Sequence, residues 1–183
     1  MATLADFSTD KIRSIVSKRG GFSTSAKFEI GFTASKGASG FQDVATLLGK
    51  DRDLKYLCEN VALPTKSIMG ADKMIYGLNY QMPYRHSYPE VAMTFYCTKN
   101  MEEKKTFDTW QEMIINPTTG DLSFYEDYTC DITVKKFHSD ATDFSTPVYA
   151  IRIENAWPSI VAEVQLTHSA GNEITRLPVT FQY

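Results

Sequence analysis

Histidines and cysteines, three of each, are the side chains of this 183-residue chain best suited to catalysis or metal binding. His86, His138 and His168 stand apart, none with a cysteine or carboxylate at ligand spacing. A catalytic histidine needs a nucleophile to deprotonate and a third group to orient it, and no nucleophile elbow accompanies these. Gly20-Gly21 follows a helical pattern rather than a strand, the wrong context for a loop that cradles phosphate. Cys58, Cys97 and Cys130 are far apart and form no C-x-x-C pair, so each reads as a small buried apolar side chain in a reducing compartment. Glu126-Asp127 and the segment Asp140 to Asp143 lack calcium-loop spacing. These residues predict no enzyme, no cofactor and no metal site. What remains is the chemistry of surfaces.

Composition narrows the kind of surface. A formal net charge of −3 argues against a face built to neutralise phosphates. No apolar run is long enough for a membrane span, and the first residues lack the basic and apolar regions of a signal peptide, so a cytoplasmic site of synthesis and assembly is expected. Aromatic residues make up 13% of the chain, yet the richest run, Tyr76 to Tyr96, contains Arg85 as its sole Lys or Arg. Sheets that stack single-stranded nucleic acid interleave aromatics with cations, so these rings read as core and subunit interface.

The patterning is mostly that of strands. Ser8 to Lys18 reads as a short helix with Ile12, Ile15 and Val16 as its stripe, ended by Gly20-Gly21. Its stripe needs a partner surface, either its own domain or a neighbouring copy. Lys27 to Thr33 alternates as a strand, Ala34 to Asp53 is loop-like, and a further strand opens with Leu54 to Cys58 and ends near Ala62-Leu-Pro-Thr65. Lys73 to Met82 places Met74, Tyr76, Leu78, Tyr80 and Met82 at period two, as one strand with one apolar face. Pro83 to Pro89 reads as an exposed aromatic connection, and Val91 to Cys97 as a strand buried on both faces. Met101 to Ile115, capped near Asn100, is the main helix, with Phe107, Trp110 and Ile114 on one side. Tyr128 to Val134 is another strand, and Ser139 to Pro147 a loop. In the last stretch, Val148 to Glu154 is a strand that Asn155-Ala-Trp-Pro158 breaks. Ile160 to Thr167 resumes the alternation, Ser169 to Asn172 turns, and Val179 to Tyr183 closes the sheet.

Helices are missing between most strands, so parallel βαβ units are excluded. The expected fold is mainly β, an antiparallel β-sandwich or barrel with one packed α-helix and a short N-terminal helix. Residues 1–183 are expected to form a single domain, with 1–24 a helical extension and 25–183 the β module.

The run Glu154-Asn-Ala-Trp-Pro-Ser-Ile-Val, then Glu163-Val-Gln-Leu, Gly171-Asn-Glu-Ile and Val179-Thr-Phe-Gln-Tyr, resembles the tail tube proteins of contractile-tailed bacteriophages. The likeness extends to the early strand Lys27 to Phe32, the strand ending in the Leu-Pro step at Pro64, the Val91-Ala-Met-Thr-Phe strand, and the Phe107, Trp110 pair on the helix. The resemblance implies a β module, similar in fold to the tube protein of type VI secretion systems. It implies hexameric rings whose strands share an inner barrel, stacked into a virion tail tube through which DNA passes without sequence-specific binding. Tail sheath and baseplate proteins are the implied partners besides the protein itself. The N-terminal helix and the loop Ala34 to Asp53 look longer than the minimal module. The related tube initiator, a baseplate hub ring, is therefore a second reading. A ligand-binding β-sandwich with its aromatics in a cleft is a third, and an enzyme using His86 or His168 a fourth. Within the tube reading, the excursion Ser67 to Tyr88 is the candidate subunit or ring interface: Met74, Tyr76, Tyr80, Met82, Tyr84, Arg85, His86 and Tyr88.

Overall fold

The structure, a computed structural model, describes residues 9–34, 54–138, 145–168 and 173–183. Most of the expected loop from Ala34 to Asp53, much of that from Ser139 to Pro147, and the turn Ser169 to Asn172 lie outside them. The chain divides into two compact units. The smaller comprises Met1–Phe28 with Lys135–Ala150. It holds helix α1 (Thr9–Lys18), none of whose residues is buried. Gly20 and Gly21, at φ 80° and 97°, close that helix, and the Gly21 amide donates to the Val16 carbonyl at 2.9 Å. Phe137 donates its amide to Lys27 at 3.0 Å, and Val148 to Lys136 at 2.8 Å.

The larger unit, Glu29–Val134 with Ile151–Tyr183, carries most of the sheet. Strands β1 (Phe28–Ala34), β2 (Cys58–Val61), β5 (Val91–Tyr96), β6 (Cys130–Lys136), β7 (Tyr149–Val161) and β8 (Arg176–Gln182) lie in the order β1-β6-β7-β8-β5-β2. The fold is mainly β with antiparallel sheets, as expected. β3 (Ser67–Ile75) and β4 (Leu78–Ser87) form a separate two-stranded sheet.

The sheet curls over one aromatic core. Phe32 of β1 and Phe181 of β8 come within 6.3 Å, ring centre to ring centre, although two strands separate them in the sheet. Helix α2 (Glu102–Ile114) fills the hollow: Phe107 lies 5.2 Å from Phe95 and 6.1 Å from Phe181, and Trp110 lies 6.1 Å from Phe181. Phe107 and Trp110 sit three residues apart, the helical spacing that presents both to one side. Each such buried side chain contributes about 1.5–3 kcal/mol of transfer free energy. The Trp110 indole N–H donates to the Tyr128 carbonyl at 2.8 Å, so its one polar atom is satisfied. Tyr128 ends the short helix α3 (Tyr125–Tyr128).

Several elements differ from expectation for identifiable reasons. β7 runs without interruption through Asn155-Ala-Trp-Pro158 and stops at Val161 rather than continuing to Thr167. The register shifts between Pro158 and Ile160, and a bulge there accommodates a residue with no amide to donate. Asn155 takes φ 55°, and the buried Asp131 carboxylate accepts its amide at 3.0 Å. β2 covers Cys58–Val61, within the strand expected from Leu54 to near Ala62, and only its start comes later than expected. β5 buries Val91, Met93 and Phe95 but leaves Ala92 exposed, so a nearly all-apolar run is covered on one face. α2 opens at Met101, which takes φ 52° and gives no side-chain cap, instead of at Asn100. The buried Glu103 carboxylate gathers the Thr98 amide (2.9 Å) and hydroxyl (3.1 Å) in that turn.

Candidate assembly surface

The stretch Lys73 to Met82 is a hairpin and not one strand. Tyr76 and Gly77, at φ 53° and 89°, form the two-residue turn with both central residues left-handed, whose twist matches antiparallel strands. The pairing Ala71↔Met82, Lys73↔Tyr80 and Ile75↔Leu78 sets Leu78, Tyr80 and Met82 on one face. Met74 pairs with Asn79 and lies on the other face, and Tyr76 occupies the turn. Pro83 to Ser87, expected as a connection, extends β4. There the register slips between Met69 and Gly70, with Arg85 opposite Met69 and Pro83 opposite Gly70, so Tyr84 is the extra residue of a bulge. His86 pairs with Ile68. Tyr88 follows the strand, its ring 6.2 Å from that of Tyr183.

The hairpin therefore collects the predicted residues on one arm. Met74 is 72% exposed and Tyr76 fully so, while Tyr80, Met82, Tyr84 and Tyr88 are 42–64% exposed. The arm also exposes Ile68, Met69 and Leu78, which the sequence reading did not place in the site. The adjacent pair Ile68-Met69 was the available signal. Exposed apolar side chains thus stand on both faces of the arm.

The sheet ends in two edge strands, β1 and β2, each with one flank of backbone groups that no described strand pairs. β2 is tied inward by Arg176 of β8, whose Nε meets Glu59 at 2.8 Å. The hydrogen bond from the Tyr96 hydroxyl to the same carboxylate pushes the Tyr96 pKa up. A third exposed surface joins α2 to α3. Ile115 and Leu122 form an isolated antiparallel bridge, and with Phe124 and Tyr125 they present four large apolar side chains to solvent.

The reactive side chains do not converge. His86, His138 and His168 are all exposed, on β4, just after β6 and in a turn. Burial pushes the Cys58 thiol up to about 12 and raises those of Cys97 and Cys130, which disfavours the thiolate needed for a nucleophile or ligand. Among the described residues, no cluster of His, Cys, Asp and Glu could hold a metal ion. No described helix is long and apolar enough to cross a membrane. An open groove of about 620 Å³ between residues 162–167 and 173–178 has no aromatic lining residue. Tyr76, Tyr80 and Tyr84 stand on the arm, while Tyr88 lines a second open hollow of about 340 Å³ with Pro89, Glu90, Gln182 and Tyr183.

The fold is thus a curled antiparallel sheet packed on one helix, with an exposed apolar arm and two edge strands that no described strand pairs on one flank. In sequence, residues 23–183 match the phage tail tube protein family, and the chain belongs to that family of virion tail components. No curated protein matches in sequence. Similar folds occur in the sheath–tube complex of the extracellular contractile injection system PVC in its extended state. That match has 12% identity and a TM-score of 0.58, covering 96% of this chain and 93% of the other. A chain of the PVC sheath/tube terminator is similar at 12% identity and TM-score 0.58, with 86% and 89% covered. A chain of the six-fold symmetrised baseplate of the anti-feeding prophage is similar at 10% identity and TM-score 0.56, with 88% and 91% covered.

Proposed function

We propose that this protein is the main subunit of a phage tail tube. Residues 25–183 form the module that builds hexameric rings, residues 1–24 are its extension, and stacked rings make the conduit for DNA during ejection. Tail sheath and baseplate proteins surround it, and assembly takes place in the host cytoplasm. The observation that carries this reading is the β3–β4 arm, an apolar hairpin exposed along its length. Its Met and Tyr side chains can bury area on a neighbour at modest entropic cost. Edge strands joined around a ring lose their free edges, and contacts that do not close by rotation propagate into a stack. A chain with a formal net charge of −3 suits a lumen that must release its DNA.

The tube initiator is the second reading, supported by the similarity to a chain of a baseplate structure. Negative-stain electron microscopy with solution mass separates the two. Stacked rings from the pure protein support the main subunit. Single rings, or monomers that assemble only with a baseplate partner, support the initiator. A monomer inert at every concentration defeats both.

A further inference from the structure

We propose that helix α1 of one copy docks on the α2–α3 patch of a second copy, forming a subunit contact separate from the hairpin arm. The proposal rests on the self-assembly reading above. α1 has ten residues and buries none of them. A helix of that length is marginal in water without a covering surface. Ile12 and Ile15 are 47% and 54% exposed, and with half-buried Val16 they fall at helical spacing on one side. Arg13 and Lys18 flank that stripe on opposite sides, and Arg19 continues it one turn beyond Val16.

The patch on the larger unit has the complementary character. Ile115 and Leu122 are bridge partners, which puts their side chains on one side of the ribbon. Phe124, two residues on in extended backbone, shares that side. Tyr125 adjoins it, its hydroxyl donating to the Asn155 carbonyl at 3.3 Å. The exposed acidic residues Glu112, Asp121 and Glu126 lie within one to three positions of these apolar residues along the chain. A basic-flanked stripe on a helix about 15 Å long thus meets an apolar patch with acidic sequence neighbours. Apolar cover and charge complement each other, and the charges fix the orientation. An anionic lipid surface would suit the stripe but leave the apolar patch uncovered. Because stripe and patch are different surfaces, the contact is heterologous and repeats from copy to copy.

Cysteine cross-linking tests the assignment. An Ile15→Cys variant mixed with a Phe124→Cys variant should give disulfide-linked dimers on assembly and oxidation. Each variant alone, and the wild-type chain with its native cysteines, should not. A covalent link inside the monomer of the doubly substituted chain, with no dimer from the mixture, overturns the proposal in favour of docking on the same chain. Absence of any link also overturns it.

Charge exchange gives a second readout. Arg13→Glu, Lys18→Glu and Arg19→Glu together should raise the concentration needed for assembly about tenfold, the order expected for several attractive pairs made repulsive. Adding Glu112→Lys, Asp121→Lys and Glu126→Lys should restore it. If the wild type forms tubes and the basic-to-acidic variant matches it, the docking proposal fails and the tube reading stands. If the wild type never assembles, the tube reading itself fails and the docking proposal with it. Flotation of the wild type with phosphatidylglycerol vesicles, lost in a charge-reversed variant that still assembles normally, assigns the helix to lipid and overturns docking.

Discussion

Asp131 does structural work that its place in a strand does not advertise. Its carboxylate is buried in β6, accepts the left-handed Asn155 amide, and is paired by the Arg152 guanidinium. Truncation to Ala leaves a buried amide without its acceptor. Asp131→Ala should therefore cost about 2–3 kcal/mol in urea denaturation. Arg152→Ala should cost less, because the guanidinium is half exposed and water replaces part of the interaction. The thiols give a pH signature. A folded-state pKa raised to about 12 at Cys58, from 9.0, means the native state holds its proton more tightly than the unfolded chain. Stability from this source is intact below about 9 and is lost as pH rises towards about 12. Cys58→Ala should flatten the alkaline limb of a stability–pH curve, and an unchanged slope would remove Cys58 from the account. That Asp131 is a pin follows from partners distant in sequence, which a strand pattern alone cannot name, whereas of the three cysteines read from sequence as buried only Cys130 is fully so and Cys58 and Cys97 are half-buried.

Elements whose order is set by local spacing were legible, and those set by one turn or one bulge were not. Phe107 and Trp110 announce a helix with one buried side, and α2 has it. The alternation through Lys73 to Met82 is real, but it straddles Tyr76-Gly77, a turn without the usual Asn-Gly signal. Side-chain alternation persists in name across such a turn, which hid a hairpin inside one apparent strand. The Trp157-Pro158 pair is likewise absorbed by a bulge, with the Gln111 amide reaching the Pro158 and Ser159 carbonyls at 3.4 Å. Glycine at 77 is required by its positive φ, and a Cβ there is strained though nothing crowds it. Gly77→Ala should cost about 1 kcal/mol locally. Amide exchange should speed up in β3 and β4 while the main thermal transition stays in place. A lowered main transition would mean that the hairpin is folded into the core.

At the scale of the whole molecule, the proposed function gives the arm and the core separate duties. Replacing Tyr84-Arg85-His86 with Gly-Ser-Gly removes the bulge residue and two exposed neighbours while touching no buried side chain. Tubes should be absent, with circular dichroism and monomer mass unchanged. A collapsed fold would refute the assignment of that segment to contact. The candidate site was legible as a region, since seven of its eight residues lie on the arm or its turn and Tyr88 just beyond it, but the facing of each waited on the register. The separateness of the arm also bears on time. A two-stranded ribbon with no third described strand is marginal by itself, and in the proposed tube its order is completed when another subunit covers it. The first few subunits to meet must each fix a ribbon against little surface, whereas a subunit joining a finished rim fixes one against a ready template. Growth should then show a lag that preformed fragments abolish, and a cell would hold a store of quiet monomers until a seed gives the length and the moment.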